Sequence, residues 1–277
     1  MTNRMGCAQI TPVAVEVDTR WPDGRTNAYL LGRSPTVLVD PPAVAPSLTK
    51  AIQARDVDHI AVTHTHGDHV GGVSHYAEAT GATVWARYGR IDRFVTAADY
   101  RPDRTFQEGT SIGHATVVDT PGHSADHVAF HVEDAAVVGD LAVQQGSVLV
   151  GSDGGDLRAY LVSLRRLRQA DLDRLFPGHG PVIEAPNETL DRLLRHRLLR
   201  ERRVLEAVEA GARDLQAVTE AAYDKDLTGV TDLARQTVAT HLAKLDFEGR
   251  IDWNGARAIP TDAPRRGRQL PDEPFTG

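Results

Sequence analysis

Near the start of the chain the segment His64-Thr65-His66-Gly67-Asp68-His69 places three imidazoles and a carboxylate within six residues. It follows the apolar run 59–63, which reads as a strand. In extended backbone, residues two apart point the same way, so His64 and His66 can reach one point together. Gly67 allows the chain to turn and to aim Asp68 and His69 at a neighbouring point. Neutral imidazole and carboxylate are the usual ligands of zinc where thiolates are absent. The one cysteine, Cys7, is isolated, so neither a thiolate site nor an intrachain disulfide is expected.

Three later fragments carry the same kind of chemistry at turns. Thr120-Pro121-Gly122-His123 follows a strand expected over 115–119, and Gly139-Asp140 follows one over 135–138. Phe176-Pro177-Gly178-His179-Gly180 follows a helix and a short apolar stretch. Strand ends with Gly or Pro beside a His or Asp are how a fold delivers ligands to one point from distant parts of a chain. His59, His75, His114, His131, His196 and His241 lack this setting and are expected on the surface or in packing. Asp58, just before the histidine-bearing strand, is expected to orient a ligand imidazole.

The elements that must position these residues are short and alternate in type. Strands are expected over 13–17, 28–31, 37–39, 59–63, 83–86, 115–119, 128–132 and 135–138, with a turn at Trp21-Pro22-Asp23-Gly24. Helices are expected over 47–54, 71–79 and 157–168; in the last, Leu157, Tyr160, Leu161, Leu164 and Leu167 form one apolar stripe. Strands mixed with helices indicate an α/β layered domain. After Pro181 the pattern changes to helices over 187–210, 215–223 and 231–245, with Asn187 as N-cap and Gly211 as stop, then a turn and a strand over 251–253. That order is the layout of a winged-helix-like module. The tail from Thr261, rich in Pro, Arg, Asp and Gly, is expected to be disordered. The domain reading is a catalytic domain over 1–185, a helical winged-helix-like domain over 186–260 and a tail over 261–277.

The histidine cluster with its later His, Asp and His resembles the metallo-β-lactamase superfamily, marked by HxHxDH, over about residues 10–185. The resemblance implies an αββα sandwich with a dinuclear site at one edge and two zinc ions, or other divalent metals, as cofactors. His64, His66 and His123 would hold the first metal. Asp68, His69 and His179 would hold the second, and Asp140 would bridge the two. Pro121-Gly122-His123-Ser124-Ala125-Asp126-His127, Pro177-Gly178-His179-Gly180-Pro181-Val182-Ile183 and the downstream Thr240-His241-Leu242-Ala243-Lys244-Leu245 with Glu248-Gly249-Arg250-Ile251 look like the β-lactamase-like protein 2 branch. That branch adds a C-terminal winged-helix-like domain and includes a single-strand endoribonuclease.

The chemistry implied is hydrolysis. Two metals sharing one water lower its pKa, and the resulting bridging hydroxide attacks an electrophilic carbon or phosphorus. Asp68 is the expected proton-handling residue besides being a ligand. His127 is a candidate to donate a proton to a leaving group or to brace the site.

Substrate class is open between a phosphodiesterase acting on single-stranded RNA and a hydrolase of thioesters, lactones or other small carbonyl compounds. Arg192, Arg195, Arg197, Arg200, Arg202 and Arg203 on the helix 187–210 could line a path for phosphates. Leucines alternate with them, so they are read as a solvated face. A third reading, a DNA-binding regulator using the helix 231–245, is disfavoured, because residues 186–260 hold 12 basic against 13 acidic side chains. A net charge of −7 also argues against attraction of the whole chain to nucleic acid, and no duplex-DNA partner is expected. No apolar run is long enough to cross a membrane. Met1 to Thr11 lacks the charged-then-apolar pattern of an export signal, so a cytoplasmic location is expected, with the oligomeric state open.

Overall fold

The computed structural model describes residues 9–151, 154–224 and 226–261. Cys7, most of the segment read for an export signal and all but Thr261 of the expected tail lie outside the described residues. The chain divides into two compact units, Met1–Val148 with Ala159–Leu193, and Leu149–Arg158 with Leu194–Gly277.

In the first unit, β1 (Ile10–Glu16), β2 (Arg25–Leu31) and β3 (Val37–Val39) pair antiparallel. The turn before β2 is closed by Gly24 N–H donating to Trp21 C=O at 3.0 Å. From β3 the sheet continues in parallel through β4 (His59–Ala61), β5 (Thr83–Arg87) and β6 (Arg104–Phe106). Parallel neighbours need crossovers. These are α1 (Pro46–Gln53) between β3 and β4, α2 (Gly67–Val70) and α3 (Val73–Thr80) between β4 and β5, and α4 (Ile91–Ala98) between β5 and β6. The six strands run β1-β2-β3-β4-β5-β6.

The second sheet contains β7 (Ser111–Ile112), β8 (Ala115–Asp119), β9 (Val128–Val132), β10 (Ala135–Gly139) and β11 (Arg174–Pro177), in the order β11-β10-β9-β8-β7. Its pairs are antiparallel except β10 with β11, which are joined through α5 (Leu157–Gln169). Both sheets of this α/β fold are thus mixed or carry one parallel pair.

Period-two alternation explains the layering. Tyr29, Leu31, Val37, Val39 and Ala61 of the first sheet share one core with Ile112, Val117, Phe130, Val137 and Phe176 of the second. Their neighbours Ala28, Leu30, Leu38 and Ile60 face the other way and pack with Leu48, Val73, Tyr76 and Phe94 of the helices. Burial on both faces makes these strands near-continuous apolar runs, which leaves polar residues for the strand ends.

The second unit holds most of α6 (Pro186–Glu209), then α7 (Leu215–Ala222), α8 (Thr231–Phe247) and the antiparallel hairpin β12 (Ile251–Trp253) with β13 (Ala258–Pro260). Val204, Val208, Val218, Val238, Leu242, Leu245 and Ile251 form its core. Asp214 caps α7 by accepting from Ala217 N–H at 2.8 Å. Helix α6 starts at Pro186, not after an Asn187 cap. Proline's fixed φ suits a first helical position, and Asn187 instead donates to Asp171 at 3.0 Å. Among the described residues no helix is long and apolar enough to cross a membrane.

Candidate metal centre

The fragments singled out by composition meet at the ends of strands in the first unit. The segment after β4 carries His64 and His66, and α2 carries Asp68 and His69. The turn after β8 carries His123, the end of β10 leads to Asp140, and the end of β11 leads to His179. Three groups could each hold a metal ion: His64, His66 and His123; His64, His69 and Asp140; and Asp68, His69 and His179. In each, the donor atoms lie within 4.8 Å of one another. Among the described residues none of the other histidines joins such a group.

The distances sort the donors. His66 Nδ1 lies 3.0 Å from His64 Nε2 and 2.9 Å from His123 Nε2. Asp140 Oδ2 is 3.5 Å from His123 Nε2, whereas Asp140 Oδ1 is 3.5 Å from both His69 Nε2 and His179 Nε2. His179 Nε2 is also 3.6 Å from Asp68 Oδ2. One carboxylate therefore turns one oxygen toward each of two groups of imidazoles.

The backbone must come close to permit this. Gly178 has its Cα where an added Cβ would lie 2.6 Å from Asp140 Oδ1 and 2.6 Å from His69 Cε1. Gly122, beside His123, adopts φ 138° and passes against the backbone of Tyr160 on α5, so a side chain there has neither the conformation nor the room. Helix α5 is tied to the same turns by Ser163 Oγ on Pro121 C=O at 2.8 Å and Tyr160 Oη on Leu141 C=O at 2.8 Å.

Hydrogen bonds set which ring nitrogen faces the site. Asp40, at the end of β3 and 0% exposed, accepts from Thr63 N–H at 2.6 Å through Oδ1. Its Oδ2 accepts from the Thr63 hydroxyl at 2.7 Å and from His69 Nδ1 at 3.1 Å. Since Thr63 gives its proton to Asp40, its oxygen accepts from His64 Nδ1 at 3.0 Å. His179 Nδ1 donates to Arg25 C=O at 2.8 Å. In all three rings Nδ1 faces a hydrogen-bond acceptor, so Nε2 is the nitrogen directed inward.

Electrostatics point the same way. Burial, with neighbouring imidazoles, keeps His64 far below its ordinary range, and burial with His123 pushes His66 down to about 4. Both stay neutral, as a metal ligand must. Burial opposes charge on His69, but the Asp140 carboxylate and then Asp40 outweigh it and raise the ring to about 9. Burial would likewise raise Asp140, yet His69 and His179 hold its carboxyl far below the usual range. This is a pocket that favours positive charge. His69 Nε2 and Asp140 Oδ1 are also buried without a hydrogen-bond partner, a costly state for polar atoms that a bound cation relieves. The residues fit a metal.

Several supporting residues were not foreseen. Asp40 performs the orienting role expected of Asp58, whose Oδ2 instead accepts from Thr36 N–H at 2.7 Å. Asp58 precedes the strand on the side away from the histidines, so it caps a backbone group and touches no ligand ring. Thr19 Oγ1 donates to Asp68 Oδ2 at 2.6 Å, and Trp21 stacks on His179 with centroids 5.3 Å apart and planes 12° from parallel. Thr65 donates to Asp126 at 2.7 Å and accepts from Arg93 Nε at 2.7 Å, which pins the backbone between His64 and His66. A carboxylate closing a strand and a Trp-Pro-Asp-Gly turn were visible in the sequence, but only tertiary contact gives them a role.

His127 is 1% exposed, and both its nitrogens are engaged. Nε2 accepts from Asp140 N–H at 3.1 Å, so the proton is on Nδ1, which donates to Thr120 Oγ1 at 2.8 Å. Burial, then His123, pushes it down to about 3. His127 thus links the Asp140 backbone to Thr120.

Changing Asp40 to Asn places an amide N–H₂ against groups that all donate. The expected result is a loss of about 1–3 kcal/mol in stability and about 10–100-fold in metal affinity. Chemical denaturation and titration against a chelator measure the two.

Residues 21–179 match the Metallo-beta-lactamase superfamily, and the chain belongs to it. It is an enzyme of that fold, a metal-dependent hydrolase. Its relatives include the protein named Beta-lactamase-like protein 2 homolog of Drosophila melanogaster, 32% identical over 82% of this chain and 84% of the relative. The Atrochrysone carboxyl ACP thioesterase of Aspergillus fumigatus is 30% identical over 71% of this chain and 64% of its own length. The crystal structure of a metallo-beta-lactamase family protein from Thermus thermophilus superposes with a TM-score of 0.73, covering 91% of this chain and 98% of that one at 21% identity. That likeness concerns the fold.

Proposed function

We propose that the chain is a dinuclear metal hydrolase of thioesters or other small carbonyl compounds. The observation that carries the two-metal part is Asp140, whose Oδ1 and Oδ2 face different groups of imidazoles. In this reading His64, His66 and His123 hold one ion, Asp68, His69 and His179 hold the other, and Asp140 is shared. Zinc suits a set of imidazole and carboxylate donors without thiolate. When bound, the metals supply a water acidified toward neutral pH and a Lewis acid for the substrate oxygen. The chain's own contribution is orientation. Asp68, held at Oδ2 by Thr19, is set to take up the proton of the attacking water, and Trp21 forms an apolar wall beside His179.

The carbonyl class is favoured over single-stranded RNA by where the arginines of α6 go. Arg192 donates to the carbonyls of Val143, Gln144 and Gly146, Arg203 pairs with Asp224 at 2.7 Å, and Arg197 is 2% exposed. Arg200 binds Ala222 C=O and lies over the Tyr223 ring. These four of the six cations are engaged within the fold, which weakens the phosphate path that the run suggested. The relative named a thioesterase supports the same class. The RNA reading rests on the resemblance to the β-lactamase-like protein 2 branch, in which the C-terminal helices and hairpin are a winged-helix-like module. The proposal includes a cytoplasmic location.

The test incubates zinc-loaded protein with a panel of S-acyl thioesters and lactones and with a labelled single-stranded RNA, beside Asp68→Ala. Thioester or lactone hydrolysis that disappears in the variant and with chelator is expected. RNA cleavage with that dependence, and no carbonyl hydrolysis, overturns the substrate class.

A further inference from the structure

Strand β2 and the turn before it make a connected set of contacts with the loop that carries His179. The side-chain amide of Asn27 donates to Pro177 C=O at 3.1 Å and to Gly180 C=O at 2.9 Å. Its backbone N–H donates to Gly178 C=O at 2.8 Å. One residue thus holds the carbonyls on both sides of His179. Tyr29 Oη adds a second donor to Pro177 C=O at 2.6 Å, and Arg25 C=O takes the His179 Nδ1 proton at 2.8 Å.

The other group is braced from elsewhere. His64 is oriented by Thr63, which Asp40 holds in turn, and the Thr65 between the two histidines is held by Asp126 and Arg93. Asp40 serves both halves, since it holds His69 as well as Thr63, but β2 and the turn before it hold His179. His179 follows β11, the edge strand of the second sheet, whereas Asn27 belongs to the first sheet. The fixed point of His179 is thus a junction between sheets, whose side-chain donors are one amide and one hydroxyl beside the backbone groups of Asn27 and Arg25.

We infer that Asn27 is a positioning residue for the metal held by Asp68, His69 and His179, so that β2 governs occupancy of that position separately from the one at His64, His66 and His123. The inference rests on the two-metal reading above. An amide suits the task because its two N–H groups diverge to two carbonyls. An alanine leaves Gly180 C=O without its side-chain donor and Pro177 C=O with the Tyr29 hydroxyl alone, which loosens the loop, while the backbone bond to Gly178 remains. Supporting groups of this kind typically change metal affinity by about 10–100-fold.

The experiment is a zinc titration of the full chain against a chromophoric chelator, with stoichiometry read by native mass spectrometry, for the parent, Asn27→Ala and Tyr29→Phe. The expected parent binds two zinc ions. Asn27→Ala is expected to keep the affinity of one ion and to weaken the other by about 10–100-fold, with Tyr29→Phe moving the same ion less. A merely structural loss would weaken both ions alike, and that result overturns the inference, as does a variant in which neither changes. Should Asn27→Ala not fold, Tyr29→Phe decides alone, since it keeps the buried ring and removes only the hydroxyl. A parent that binds a single zinc ion overturns the two-metal reading itself and this inference with it, and so is told apart from a failure of the inference alone.

Discussion

Replacing Asp140 with alanine is expected to lower hydrolysis by about a hundred- to a thousandfold, the scale seen when a group stabilising the transition state is lost. The bound metal is expected to fall with it. The reason is position: its two oxygens lie 3.5 Å from His69 and His179 on one side and from His123 on the other. No neighbour can take over both directions. Steady-state kinetics with metal analysis of the same samples measure the effect, and a variant with full metal and full rate would contradict the assignment. The substitution has a second signature in metal-free protein. His69 stands at about 9 because Asp140 and Asp40 outweigh its burial. A group raised in the folded state adds stability below its unfolded value of about 6.5 and loses it as the pH climbs through the folded value. The metal-free parent is therefore expected to lose stability between about pH 6.5 and 9, and Asp140→Ala to lose less, as read from urea midpoints across that window.

Gly178→Ala is the second substitution expected to act strongly, although it adds only a methyl group. That methyl would sit 2.6 Å from Asp140 Oδ1 and 2.6 Å from His69 Cε1. Neither obstacle is a flexible tip: His69 is held from behind by Asp40, and the Asp140 backbone is held by His127. The loop cannot recoil easily either, since Gly178 N–H donates to Gly139 C=O at 2.8 Å and Gly178 C=O accepts from Asn27 N–H at 2.8 Å. The strain expected is about 1–3 kcal/mol, as for overpacked interiors, and the displaced ligands are expected to lower the rate by about a hundredfold or more, as for a mispositioned active site. Thermal denaturation and kinetics of the variant test both parts. Unchanged values would show that the loop yields.

The seven candidate ligand residues could be read from sequence because a polar, metal-binding side chain at a Gly- or Pro-marked turn after an apolar run is a local pattern. The strands before His64, His123 and Asp140 are legible for the same reason, whereas β11 before His179 reads only as a short apolar stretch. What was not legible depends on partners far away in the chain. Asp40 orients rings only because Thr63 and His69 reach it, and Asn27 matters only because Pro177 and Gly180 arrive beside it. Helix α4 was missed because it is short and begins at Arg90 without a side-chain cap, ending at Asp99 in the left-handed region. Strands β6, β7 and β13 span two or three residues each, too few for alternation to register. The arginine run on α6 misled in part, since charge along a helix face does not reveal which guanidinium groups turn inward to carbonyls.

The spacing of the candidate ligands along the chain also sets an order of events during synthesis. His64, His66 and His123 leave the ribosome before β11 exists, whereas His179 comes last and finds its place only when its loop meets β2. At about 5–20 residues per second, on the order of ten seconds separates the emergence of His64 from that of His179. On the two-metal reading proposed above, a nascent chain would carry all the residues of the first position before those of the second are complete.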